Sequence, residues 1–125
     1  MVTLIGILLF SHGSRQPDQQ KQVDAIQKKV SSRFPNCLVR STSLIQGKEA
    51  IFSILEKMND LGAERILLIP CFLFDGIHTQ QSIPQLIQLF CSSYPSVPIK
   101  ICDILGTDPQ MIDIISNQIT KNISY

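Results

Sequence analysis

The chain has only two histidines, His12 and His78, and each follows directly on an apolar run near a glycine. The two stretches read LIGILLFSHGSR and ILLIPCFLFDGIHT. A neutral imidazole can accept a proton near pH 7 or bind a transition metal. If the two runs are neighbouring strands, both imidazoles lie at one edge of a sheet. They could then act together as bases or as a weak, open metal site, although a local hydrogen-bonding role for each histidine stays open.

Alternating apolar runs and helical periodicities supply the elements that would position these histidines. A run that is continuously apolar apart from Gly6 predicts a strand over Thr3–Phe10, and three further strands are predicted over Cys37–Leu44, Arg65–Phe72 and Pro98–Ile104. Helical periodicity and capping signals predict helices over Asp18–Phe34, Lys48–Leu61, Ser82–Tyr94 and from Pro109 onwards. Their predicted buried faces are Val23, Ile26, Val30 and Phe34; Ile51, Ile54, Leu55 and Met58; Ile83, Leu86, Ile87 and Phe90; and Ile112, Ile115 and Ile119. Ser82 and Asp108 are the predicted N-caps, and Gly62 is a predicted C-cap.

This βαβαβαβα order predicts an α/β fold with one domain over residues 1–125. We expect a four-stranded parallel sheet in the order 2-1-3-4, flanked by helices as in flavodoxin-like folds. Ligands of such sheets bind beyond the carboxyl ends of the strands, where the strand order reverses. Strands 1 and 3 meet at that point, so His12 and His78 are both expected there.

Other residues of the two loops could assist a ligand. Gly13 and Gly76 permit tight turns and a close approach of a flat ligand to the backbone. The free N–H groups at the starts of the following helices favour carboxylate or phosphate groups. Arg15 and Lys48 could add positive charge, or could simply be solvated surface residues.

Composition and missing motifs exclude several function classes. The net charge of +1 provides no general attraction to nucleic acid or to a membrane surface. The four cysteines lack CxxC spacing, so we expect free thiols and no zinc or redox site. GxGxxG, Walker A and GxSxG patterns are absent. The apolar amino terminus has no basic region and is too short to span a bilayer, so the protein is expected to be soluble and intracellular.

Three motifs together carry a resemblance to a known family. The segments LLFSHGSR, IPCFLFDGIHTQQSIP and ILGTDP resemble those of the small CbiX-type sirohydrochlorin chelatases, and the similarity covers nearly the whole chain. The resemblance implies a chelatase-like fold and insertion of Co²⁺ or Fe²⁺, or Ni²⁺ in some members, into sirohydrochlorin. It implies that the reaction needs neither ATP nor a tightly bound cofactor. It also implies a role in cobalamin or sirohaem biosynthesis. The compartment would be the cytoplasm, or the plastid stroma if the protein is organelle-encoded.

The resemblance also assigns site residues. The catalytic and metal-binding histidines of the family fall on His12 and His78. From the residues themselves, we further predict that the neighbours of these histidines in the two motifs bind the substrate; these are Gly13, Ser14, Arg15, Gly76 and Thr79.

The chain departs from the family pattern at two positions. Ile45 stands where many members have a glutamate, and Ser82 stands where they often have an aspartate; Asp75 could compensate in part. The change at Ile45 motivates an alternative, a non-catalytic carrier of metal or tetrapyrrole. A flavin-binding or signalling domain is a third alternative, disfavoured because the first loop lacks a phosphate cradle.

The width of a tetrapyrrole predicts a homodimer. A wide, flat ligand needs two walls, and one domain with one switch point provides a single wall. Phe74 and Ile77 are the predicted contact residues, because they are large, apolar and in a loop.

Overall fold

The computed structural model of the protein describes residues 3–76 and 81–123. Strands and helices alternate along the chain, as predicted. In chain order they are β1 (Ile5–Ser11), α1 (Pro17–Arg33), β2 (Cys37–Ser43), α2 (Lys48–Asp60), β3 (Arg65–Pro70), α3 (Ile83–Ser93), β4 (Ile99–Ile101) and α4 (Gln110–Asn122). Two short 3-10 turns, Leu44–Gln46 and Leu105–Thr107, follow β2 and β4.

The four strands form one parallel sheet in the order β2-β1-β3-β4, which confirms the predicted topology. Ile7 of β1 lies beside Val39 of β2 on one side and beside Leu67 of β3 on the other. The chain therefore reverses its direction of winding between β1 and β3, and a crevice is expected beyond their carboxyl ends.

The main core fills one face of the sheet. Leu8 and Phe10 of β1 and Ile66 and Leu68 of β3 are fully buried there. Helices α2 and α3 cover them with Ile51, Leu55, Met58, Ile83, Leu86, Ile87 and Phe90, as their periodicity predicted. Gly6 supports this packing because a Cβ at that position would lie 2.7 Å from the Met58 sulfur.

The opposite face holds a smaller cluster. Ile7, Leu9 and Val39 are buried there and pack with Val30 of α1. The predicted burial of α1 is wrong for Ile26 and Phe34, which are both exposed. Helix α1 buries no residue completely, because it lies mainly over β2 at the edge of the sheet.

Helix α4 contradicts its predicted burial more strongly. Ile112, Ile115 and Ile119 are all exposed, and α4 buries no residue. The turn before α4 packs against the loop after β3, and the helix that follows this turn packs on no described core residue. A Cβ on Gly106 of this turn would collide with the backbone carbonyl of Leu73.

The predicted ends of the elements are confirmed in part. Asp108 caps α4, because its Oδ1 accepts a hydrogen bond of 2.8 Å from the Gln110 N–H. Gly62 follows α2 with a φ of +91°, as a C-terminal glycine should. The predicted cap at Ser82 is wrong, since this residue is itself helical and its side chain makes no capping bond. Strands β3 and β4 end earlier than predicted, at Pro70 and Ile101.

The cysteines are free, as expected: Cys37, Cys71, Cys91 and Cys102 are all unpaired with one another. Burial raises the pKa of the Cys71 thiol, against a smaller opposing effect of its backbone hydrogen bond with Phe10. Within residues 3–76 and 81–123, no helix combines the length and the hydrophobicity that crossing a bilayer requires.

Candidate active site at the carboxyl edge of the sheet

A cleft of about 470 Å³ opens beside His12 at the carboxyl edge of the sheet. Most of its walls are apolar, and its volume lies within the usual range of small-molecule sites. The described residues that line it are Phe10, His12, Leu44, Ile45, Gly47, Lys48, Ile51, Ser82, Ile83 and Leu86. The cleft therefore lies where the topology of the sheet predicts a ligand.

His12 is exposed in this cleft and lies directly after the last residue of β1. Its ring makes an edge contact with Phe72, with the ring centroids 6.4 Å apart and the planes at 69°. Phe72 in turn packs edge-on against Phe10, at 5.7 Å. A series of ring contacts that begins in the core thus supports one side of the imidazole.

Two helices start at the cleft. Gly47 and Lys48 form the beginning of α2, and Ser82 and Ile83 form the beginning of α3. The first N–H groups of α2 have no partner within the helix and carry a partial positive charge. Lys48 adds a full positive charge, and no carboxylate is among the described lining residues. The described walls therefore favour a flat apolar ligand with negatively charged substituents.

The backbone conformation and the close packing at position 13 both require glycine. It has a φ of +88°, and a Cβ there would lie 2.5 Å from the Ser43 hydroxyl oxygen and 3.3 Å from the Cβ of Ile45. The loop after β1 can lie this close to the end of β2 only with glycine at this position. Gly13 thereby sets the position of His12 next to the turn that carries Ile45.

The other predicted site residues are placed differently. The Ser14 hydroxyl oxygen accepts a hydrogen bond of 3.0 Å from the Gln16 N–H, and Ser14 lines a small polar pocket between α1 and β2. Arg15 is exposed and does not line the cleft. Gly76 is exposed, with open space where a Cβ would be. The predictions for His78 and Thr79 concern residues outside those described.

The described residues contain no group of three or more histidine, cysteine, aspartate or glutamate side chains that could hold a metal ion. His12 is the one residue of the described cleft lining with a side chain suited to a transition metal.

Comparison with known proteins gives the family. The CbiX family model matches residues 6–122, which is nearly the whole chain. The chain belongs to the CbiX family. Among its relatives, a sirohydrochlorin cobaltochelatase of Methanosarcina barkeri is 24% identical over 128 residues, which cover 97% of this chain and 98% of the relative. A chloroplastic sirohydrochlorin ferrochelatase of Arabidopsis thaliana is 22% identical, over 96% of this chain and 53% of the relative.

Solved structures support the fold of this CbiX-family chain. The sirohydrochlorin chelatase SirB from Bacillus subtilis subspecies spizizenii, solved in complex with cobalt, superposes with a TM-score of 0.82. The sequence identity is 23%, and the superposition covers 94% of this chain and 50% of SirB. The chain thus spans about half the length of SirB and of the plant relative, and nearly all of the archaeal one.

Sequence reasoning did not single out every residue of this cleft in the CbiX-family chain. The sequence allows Lys48 to be either a site residue or a solvated surface residue, and the structure places it in the cleft lining. Ile51 and Leu86 were assigned to the core, and each also contributes to the cleft wall. One signal was available for Lys48, since it follows Gly47 shortly after β2, the neighbour of β1 in the sheet.

Proposed function

We propose that this protein inserts a divalent metal ion, Co²⁺, Fe²⁺ or Ni²⁺, into sirohydrochlorin. The observation that carries the proposal is the match of the CbiX family over residues 6–122. The largely apolar cleft beside His12 supports it, because a macrocycle needs a wide apolar surface next to a base. The product would serve cobalamin or sirohaem biosynthesis.

His12 would take part in the exchange of protons for metal. Metallation replaces two inner N–H protons of the macrocycle with one M²⁺ ion, so a nearby base must accept protons. A neutral imidazole can do this, or can bind the incoming metal briefly. We assign the second acceptor or ligand to His78. Two imidazoles make a weak, open set of ligands, which suits a metal that must leave the protein with the product. The reaction needs neither ATP nor a bound cofactor.

The carboxylates of sirohydrochlorin would be bound at the rim of the cleft. The N–H groups at the start of α2 and the ammonium group of Lys48 would bind them there. We keep Gly13, Ser14, Arg15, Gly76 and Thr79 as proposed substrate-binding residues. Gly13 acts by setting the loop, as its contact with Ser43 indicates.

One observation favours a second candidate function. Ile45 lines the cleft at the position where the family resemblance implies a glutamate in many members, and no carboxylate is among the described lining residues. A site with too few proton acceptors could bind sirohydrochlorin or metal without catalysing their reaction. The second candidate is therefore a non-catalytic carrier on the same scaffold.

Turnover distinguishes the two candidates. Purified protein is mixed with sirohydrochlorin and, in turn, with Co²⁺, Fe²⁺ and Ni²⁺, and the visible spectrum follows metallation. A chelatase increases the rate in proportion to protein concentration. A carrier perturbs the spectrum of sirohydrochlorin on binding but leaves the rate equal to that in buffer.

We further propose that residues 1–125 form one domain and that the working unit is a homodimer with a shared cleft. Phe74, beside the site, is 82% exposed and Leu73 is half-exposed, which supports an apolar contact at this edge. Ile77, the other predicted contact residue, is outside the described residues.

The compartment is proposed to be the cytoplasm, or the plastid stroma if the protein is organelle-encoded. A relative named as chloroplastic supports the second possibility. Fractionation of the source cells with an antibody against the protein would test this.

A further inference from the structure

The third family motif, ILGTDP at residues 104–109, takes no part in the proposed reaction. It follows β4, an edge strand of the sheet, and it includes the 3-10 turn Leu105–Thr107. None of its residues is among the described residues that line the cleft. If the motif serves the reaction, it must act through a residue that lies between this turn and the cleft.

The turn is held together by its own contacts. Ile104 is buried, and the Thr107 hydroxyl donates a hydrogen bond of 2.9 Å to the Ile104 carbonyl. The Asp108 N–H donates a further bond, of 3.1 Å, to the Leu105 carbonyl. The turn therefore offers a fixed surface against which a neighbouring loop can be held.

The neighbouring loop is the one after β3. The Gly106 N–H donates a hydrogen bond of 3.2 Å to the Phe72 carbonyl, and a Cβ on Gly106 would collide with the carbonyl of Leu73. On the other side of the loop, the Cys71 N–H donates a bond of 2.7 Å to the Phe10 carbonyl. The backbone at Phe72 is thus held between the end of β1 and the turn after β4.

The side chain of Phe72 connects this backbone to the site. Its ring lies edge-on to the buried ring of Phe10, with 5.7 Å between the centroids, and edge-on to the imidazole of His12, with 6.4 Å between them. Phe72 is half-buried against the main core and is not among the described residues that line the cleft. It therefore contacts the imidazole without forming a wall of the cleft.

An exposed histidine that acts as a base gains from such a contact. His12 is exposed, and a side chain at the surface can occupy several staggered rotamers about χ1. Catalysis requires the reacting groups to be held near their productive geometry, so only a rotamer that directs the imidazole at the macrocycle is useful. One aromatic pair favours a single arrangement by about 2- to 10-fold in population.

We propose that Phe72 is a positioning residue for His12, and that the ILGTDP turn holds Phe72 in place through Gly106. The inference rests on the proposed function, in which His12 accepts protons or binds the metal ion. It gives the third motif a role in the reaction that requires no contact with the substrate. Loss of the Phe72 ring should therefore slow the chemical step without weakening the binding of sirohydrochlorin.

The first experiment measures the rotamer of His12 in the full chain, without sirohydrochlorin or metal. The chain has only two histidines, so His78→Ala assigns their NMR signals. Three-bond couplings to the His12 Cγ should report one dominant χ1 rotamer in the wild type. They should report an averaged mixture in Phe72→Leu, which keeps an apolar side chain but has no ring. Equal couplings in these two proteins would overturn the proposal.

Phe52→Leu is the matched control for the loss of a ring. Phe52 is also half-buried, and its ring lies edge-on to that of Phe90, with 5.4 Å between the centroids. Phe52→Leu should leave the His12 couplings as they are in the wild type, and so should Phe72→Tyr, which keeps the ring. If Phe52→Leu averaged the couplings as much as Phe72→Leu, general loosening of the core would explain both, and the proposal would be wrong.

The second experiment measures metallation of sirohydrochlorin with Co²⁺. Phe72→Leu should lower kcat about 2- to 10-fold, the range that one aromatic pair supplies. KM for sirohydrochlorin should stay the same, because Phe72 is not among the described lining residues. Phe72→Tyr should restore kcat, and Phe52→Leu should keep the kcat of the wild type. An unchanged kcat in Phe72→Leu, with or without a rise in KM, would overturn the positioning role.

The role of the turn is tested by Gly106→Ala, which forces the loop after β3 to move, and by Thr107→Val in case Gly106→Ala fails to fold. Thr107→Val removes the hydroxyl that closes the turn and should lower kcat about twofold or more, the lower end of the value of one hydrogen bond. Thr107→Ser keeps the hydroxyl and should have the kcat of the wild type. If Thr107→Val kept both the kcat and the His12 couplings of the wild type, the turn would not be what holds Phe72.

The two kinds of measurement separate this inference from the proposed function. A wild type without turnover would refute the proposed function, while the couplings would still decide whether Phe72 holds His12. Turnover in a wild type whose His12 already averages over several rotamers would refute the positioning role and leave the proposed function intact.

Discussion

His12 is the residue on which the proposed chemistry depends most. It is exposed at the cleft and contacts Phe72 from one side, so its removal takes away little packing. His12→Ala should lower metallation roughly 100-fold, which is typical of a lost general base. The change in free energy of unfolding should stay within about 1 kcal/mol. The spectroscopic assay with sirohydrochlorin and urea unfolding measure the two quantities.

The same loss is expected for His78→Ala. Lys21→Ala, on the exposed side of α1, is the control and should leave turnover unchanged. If both histidine variants kept the turnover of the wild type, His12 and His78 could not be the residues that carry the reaction.

Ile45 tests whether the missing acid limits the rate. It lines the cleft and is 52% exposed, so a carboxylate there stays hydrated and should cost little stability. Ile45→Glu should raise turnover several-fold, as one added proton acceptor allows, or change the preference among Co²⁺, Fe²⁺ and Ni²⁺. Ile45→Gln is the control, because glutamine has nearly the same shape as glutamate but no charge. It should change neither the turnover nor the metal preference. If the two variants behave alike, the acid is not what this site lacks.

At the scale of the elements, the turn before α4 fixes the start of this helix beside the loop after β3. A Cβ on Gly106 would meet the carbonyl group of Leu73, which is backbone and cannot rotate away. Gly106→Ala should therefore lower the free energy of unfolding by about 1–3 kcal/mol, the usual cost of overpacking. Urea denaturation followed by circular dichroism would measure this.

Gly76→Ala is the matched control, because a Cβ there meets no atom within 4 Å. It should change stability by less than about 0.5 kcal/mol. Similar losses for the two variants would mean that the contact between Gly106 and Leu73 is not what anchors the turn.

For the whole molecule, the proposed shared-cleft dimer would make Phe74 a contact residue. Its ring is the most exposed large apolar side chain among the described residues, and it lies in the loop beside the cleft. Phe74→Asp should raise the dissociation constant of the dimer about tenfold or more, which corresponds to about 1.4 kcal/mol or more. Sedimentation at several protein concentrations gives this constant.

Leu89→Asp is the control for Phe74, since Leu89 is also exposed but lies well along α3. It should leave the dimer intact. A wild type that is monomeric yet metallates sirohydrochlorin would refute the shared cleft outright.

The strand order, the cleft at the carboxyl edge and the buried faces of α2 and α3 could all be predicted from the sequence. Each depends on local information: continuous apolar runs form buried strands, and a spacing of three and four residues defines the side of a helix that avoids water. His12 follows such a run, so its position at the edge of the sheet followed from the end of β1. The family motifs named the same residue independently.

The fate of α4 was decided only by the tertiary structure. Its isoleucines have the same periodicity as the apolar face of α3, yet α3 lies on the core and α4 does not. A periodic pattern specifies which side of a helix is apolar but contains no information on which surface will cover it. That depends on how the chain runs through the preceding turn, and here Gly106 packs closely against the backbone of Leu73. The place of Lys48 in the cleft lining was also decided by the tertiary structure. It depends on how the end of β2 packs beside β1, and not on the residues next to Lys48 in the sequence.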